Sequence, residues 1–203
     1  MSNPVNPVSS KEVVEFLSVA NEYCTFVENA DKPSIRDFVT KAHEILVNLY
    51  LKALYLPELT NKYEDLNEHH VTEKDYEKIR RKIYDKLGHY DSYHDVNNPM
   101  KQLSDKPSGE CISEDMSDIF QEIKDFTMLY RSSRKEQMYE AIWECSQSFK
   151  NYWGQRLTNS LRALHFLRYS GEELAELNDD FSDHEDNDID DDLDTSDWII
   201  SQE

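Results

Sequence analysis

Residues 113–169, SEDMSDIFQEIKDFTMLYRSSRKEQMYEAIWECSQSFKNYWGQRLTNSLRALHFLRY, decide the fold. Met116, Ile119, Phe120, Ile123 and Phe126 form one apolar stripe, and Met138, Ile142, Cys145, Phe149 and Tyr152 continue at alternating steps of four and three. That spacing belongs to a helix whose one face is buried. After Gly154 the pattern resumes with Leu157, Leu161, Leu164 and Leu167, which predicts one kinked helix or two in series as a spine. Ser113 is placed to cap the fourth helix, with Glu114 and Asp115 in the first turn where the helix dipole favours anions.

Working outward, two more helices precede a polar stretch. Ser9 or Ser10 with Glu12 opens the first, whose stripe is Val13, Phe16, Leu17, Ala20, Cys24 and Val27. Ser34 with Asp37 opens the second, carrying Phe38, Ala42, Ile45, Leu46, Leu49, Ala53 and Leu54 up to Pro57. Thr72 with Asp75 opens a third, shorter helix with Tyr76, Ile79, Ile83 and Leu87, stopped by Gly88. Its basic run Lys78, Arg80, Arg81 and Lys82 reads as a solvated face. Between His89 and Ile112 no helix period appears, and a loop of that length acts as a strap or a functional element. No run alternates with period two, so a sheet is not expected. The fold class is therefore all-α: a single antiparallel bundle of about five to six helices over residues 9–171, with a long loop between helices three and four. Residues 1–8 read as a disordered lead and residues 178–203 as an acidic disordered tail.

Charge separates the bundle from the tail. The chain has 203 residues and a formal charge of −20, yet residues 169–203 hold 15 of its 42 acids and none of its 22 Lys and Arg residues. The remainder, 27 acids against 22 bases, is ordinary for a soluble domain. An acidic tail repels polyanions, so direct nucleic-acid binding is disfavoured. The apolar run Ile45–Leu56 is interrupted by Asn48 and Lys52 and falls short of the ~20 residues a membrane span needs. With no leader pattern in Met1–Ser10 and three cysteines in no framework spacing, the expected compartment is the cytoplasm.

The segments SEDMSDIFQEIKDF, AIWECSQSF and NYWGQRLTNSLRALHFL, together with VVEFLSVANEYCTFVE near the start, resemble an uncharacterised family of small bacterial all-helical proteins, a domain of unknown function. The resemblance spans most of residues 11–168. It implies the helical fold and carries no assigned activity.

Four constellations could carry chemistry. His69, His70, His89, His94 and Asp95 place imidazoles and a carboxylate at short spacing, as a divalent metal requires. A His, a His-Asp pair and a later Asp (Asp115, Asp118 or Asp125) is the ligand order of the all-helical HD phosphohydrolases. Here, however, the pair lies in a loop and is followed by Val96-Asn97-Asn98-Pro99. The rows Asp118, Glu122, Asp125 and Glu136, Glu140, Glu144 could face each other, but no Glu-x-x-His accompanies them, so they read as solvated acidic faces. Trp153, Arg156 and Arg162 could line a cleft for an anionic or protein ligand; the alternative is a kink at Gly154 with arginines paired to carboxylates.

Asp186 to Asp197 matches the ligand positions of an EF-hand loop, but Asp191 stands at the glycine position, so only weak cation association is expected there. The tail ends in Trp198, Ile199 and Ile200, an apolar anchor for a partner or for the bundle itself beside Arg80, Arg81 and Lys82. These readings favour a non-catalytic interaction protein, monomeric or a small homo-oligomer, with a protein partner, basic if the tail binds it, and no cofactor. A metal-dependent phosphohydrolase using the His69–Asp95 region is the alternative.

Overall fold

The computed structural model describes residues 6–63, 69–94, 109–132, 134–171 and 174. Within them the chain forms α1 (Lys11–Glu28), α2 (Ile35–Ala53), α3 (Glu73–Leu87), strands β1 (Ser92–His94) and β2 (Gly109–Cys111), then α4 (Ile112–Arg131), α5 (Lys135–Ser148) and α6 (Gly154–Tyr169). The protein is an all-α bundle. α5 and α6 join through a π-helical turn, Phe149–Trp153, and run on as one bent helix.

Local chemistry explains where the first three helices start. Ser10 Oγ accepts from the Val13 amide, Ser34 Oγ accepts from the Asp37 amide, and Thr72 with Asp75 forms a reciprocal capping box. α4 is the hub, since it packs on α1, α3, α5 and α6. Its buried Ile112, Met116, Ile119 and Ile123 meet Val13, Phe16 and Ala20 of α1 and Ile79, Ile83 and Leu87 of α3 in one continuous core. α2 completes the bundle against α1 and α6.

Several expectations are corrected. Residues 6–8 of the expected disordered lead are ordered: Asn6 caps a 3-10 turn at Pro7–Ser9, and buried Val8 accepts a hydrogen bond from Tyr130. Ser113 does not cap α4. Strand β2 feeds directly into this helix through Cys111, which makes no side-chain capping bond, and buried Asp91, 22 residues upstream of Ser113, accepts from both the amide and the hydroxyl of Ser113 at 2.7 Å. The loop after α3 contains a short antiparallel ladder, pairing Ser92 with Cys111, Tyr93 with Glu110 and His94 with Gly109. Three-residue strands are too short to show an alternation in sequence.

The apolar phase of the spine also shifts by one. Tyr152, expected inside, is 40% exposed, while Trp153 is fully buried. A π turn inserts an extra residue into the i→i−4 ladder and rotates everything after it. Trp153 packs its ring against Phe16 and Phe149 and donates its indole N–H to the Cys145 carbonyl at 3.1 Å. No helix among the described residues is long and apolar enough to cross a membrane.

Candidate functional site

The carboxylates of α4 are not a solvated face. Asp115 is 1% exposed and holds together three neighbouring elements. Its Oδ1 accepts from Arg156 of α6 at 3.2 Å, and its Oδ2 accepts from Ser160 of α6 at 3.3 Å and from the Tyr93 hydroxyl of β1. Burial pushes the Asp115 carboxyl up to about 6, opposed by the Tyr93 hydrogen bond and the Arg156 charge. Arg156 also reaches Asp118 at 3.3 Å and Glu110 at 3.5 Å, and Tyr76 of α3 donates to Asp118 at 2.9 Å. This guanidinium is therefore balanced by three carboxylates, and it fastens α6 to α4 and β2. Of the residues expected to line a ligand cleft, Trp153 is buried in the core and Arg156 is paired with carboxylates of α4 and β2.

A second acidic group lies lower on α4. Asp125 accepts from the backbone amides of His70 and Val71 at 2.7 and 3.0 Å and pairs with His69 Nδ1 at 3.1 Å, pinning the segment before α3 to the bundle. The Asp125 contact raises the His69 pKa. Glu122 and Glu144 share with them a cavity of about 20 Å³, and burial raises Glu144. Glu140 is buried also, and its Oε2 has no partner among the described residues.

The histidines of the metal reading are thus placed apart in role. His69 belongs to the Asp125 group, His89 sits in the turn before β1, His94 is part of the ladder itself, and Asp95 lies outside the described residues. Among the described residues, no group of three or more His, Cys, Asp or Glu side chains is placed to hold a metal ion.

What the fold does bring together is His89, Tyr90, Tyr93 and His94 from the ladder with Arg162, Phe166 and Leu167 from α6. They line an open cleft of about 550 Å³ whose floor is Ile112. Tyr93 is held in place by its bond to Asp115, so the charged cluster positions one wall of the cleft. Arg162 sits at the rim and donates to the His94 carbonyl at 2.7 Å. Phe166, one turn further along α6, is 63% exposed. Phe166 was not singled out by sequence; the available signal was an aromatic residue standing off the stripe Leu157, Leu161, Leu164 and Leu167. The anchor Trp198, Ile199 and Ile200 lies outside the described residues.

A bundle built around α4, with an aromatic cleft where a small ladder meets its last helix, defines a class of small all-α proteins. Within that class the chain belongs to the family described as Domain of unknown function (DUF5063), which matches residues 7–170. A solved structure, protein BF1032 from Bacteroides fragilis, a structural-genomics target, is similar to it at 35% identity and a TM-score of 0.74, covering 82% of this chain and 98% of that one. No curated protein matches the chain.

Proposed function

We propose that this protein is a non-catalytic interaction module of the cytoplasm, and that the cleft between the β ladder and α6 is where a protein partner docks. The observation that carries this reading is the contrast between its polar and apolar groups. The side chains with catalytic potential, Asp91, Asp115, Asp125 and Arg156, are committed to capping and bridging elements. At the cleft the large exposed side chain is Phe166, with the half-buried rings of Tyr90 and Tyr93 beside it. Aromatic residues around an arginine are the composition that anchors protein interfaces. Three unpaired thiols, two of them buried, agree with a reducing compartment.

A photo-crosslinking amino acid at position 166, introduced in cells that naturally express the protein, tests this. The reading predicts a discrete adduct with a second polypeptide, absent when the crosslinker stands instead at Val14, an exposed position on α1. No adduct at 166, together with phosphoester hydrolysis by the purified protein that is lost on His94→Ala, would instead support the phosphohydrolase reading.

A further inference from the structure

The cleft and the acidic C-terminal segment share a helix. α6 supplies the wall formed by Arg162, Phe166 and Leu167, and it ends at Tyr169, within about one turn of Phe166. We propose that the segment Asp197-Trp198-Ile199-Ile200 of this same chain docks in the cleft, with Trp198 and the isoleucines on its apolar wall and Asp197 at Arg162, so that the tail occupies the site a partner would use. This rests on the reading of the cleft as a docking surface and adds its resident occupant.

Three observations select this segment. The first is reach: 27 residues separate Ser170 from Trp198 and can span up to ~90 Å, so the tether sets no distance limit and holds the segment near the cleft at a millimolar effective concentration.

The second is chemistry. Between residues 169 and 203 there are 15 acids and no Lys or Arg, and the cluster Trp198-Ile199-Ile200 is the one place where a large aromatic is followed by two branched aliphatics. The cleft offers the complement: Tyr90, Tyr93, Ile112, Phe166 and Leu167 as apolar wall, and a guanidinium at the rim that forms no ion pair among the described residues.

The third is the contrast with the basic surface of α3. There Arg80 donates to both carboxylate oxygens of Glu77, Lys82 is tied to Glu28 and Asp31, and Tyr84 is the one large apolar side chain lining the groove. That surface can attract the acidic run but gives Trp198 and two isoleucines little to pack on.

Docking of this kind lowers a partner's apparent affinity by the fraction of cleft left open. A tail docked nine-tenths of the time weakens the partner about tenfold.

Fluorine NMR on the full chain labelled with 5-fluorotryptophan reads this directly, because the protein has only three tryptophans, Trp143, Trp153 and Trp198, and Trp198→Phe assigns the third. The reference is a fluorinated peptide of residues 190–203. The expected result is a Trp198 signal displaced from the peptide's, independent of a hundredfold dilution, and restored to the peptide's position by Arg162→Glu and by Phe166→Ala. The buried Trp153 signal reports that each variant is folded; both substituted residues are exposed, and either variant alone suffices. A Trp198 signal already at the peptide's position overturns the proposal, as does one insensitive to both cleft substitutions. Loss of the displacement on dilution also overturns it, since the occupant would then come from a second copy. A free Trp198 alongside a crosslink at position 166 removes the tail and leaves the interaction reading standing, whereas a docked Trp198 with no crosslink does the reverse.

Discussion

At the scale of single residues, Gly154 and Asp115 show how much depends on tightness around the bent spine. A Cβ at Gly154 would stand 2.3 Å from the Phe149 carbonyl oxygen and 3.0 Å from its ring. Because the nearest obstacle is backbone, relief requires the π turn to move. Gly154→Ala should therefore cost about 2 to 3 kcal/mol in urea unfolding, although alanine is the better helix former elsewhere. Asp115 makes a different prediction. Its carboxyl titrates at about 6 when folded against an ordinary 3.8, mainly because it is buried. An acid raised on folding binds more protons folded than unfolded between those values, so its contribution to stability falls as pH rises from about 4 to 6 and is flat above. Unfolding free energies measured across that window should decline more steeply in the natural chain than in Asp115→Asn, by on the order of 3 kcal/mol in total. Equal slopes would mean that Arg156 and Tyr93 keep the carboxylate ionised throughout. Neither residue was legible beforehand: Gly154 read as a kink, but the phase shift that buries Trp153 in place of Tyr152 depends on a π turn that no spacing announces.

At the scale of elements, what could be read from sequence was what is encoded within a few residues. The caps of α2 and α3 were visible because Ser34 with Asp37 and Thr72 with Asp75 lie three apart and bond to each other. The start of α4 was misread because its cap comes from Asp91, whose carboxylate reaches back across the ladder. Replacing it should show this dependence. Asp91→Ala removes two hydrogen bonds from the buried Ser113 and should destabilise the protein by about 2 kcal/mol, while Ser113→Ala, which keeps the amide bond, should cost less than half of that. If the two were equal, the hydroxyl would be carrying the cap. The acidic rows of α4 and α5 were legible as rows, but the burial of Asp125, and of Asp115 beside it, was not, since the segments that cover them bring Tyr93 and the His70 and Val71 amides from remote parts of the chain.

At the scale of the whole molecule, the stripes sufficed for an all-α bundle, because each helix shows its buried face in its own sequence. The cleft could not be read in the same way: it exists only where β1, the turn before it and α6 meet, and each contributes residues that look unremarkable alone. That meeting is held by the Asp115 group, so the same charged cluster that fixes α6 on α4 also sets Tyr93 in the cleft wall. The central claim is that this wall is made to be covered by another polypeptide. Hydrogen exchange on the full chain carrying Trp198→Ala, whose own tail then leaves the wall uncovered, alone and with the protein recovered from the crosslink at position 166, measures it most directly. Slower exchange at the amides of Ser92–His94 and Gly109–Cys111 in the complex is the predicted result; unchanged exchange there, with slowing confined to α1, α2 or α3, would contradict it.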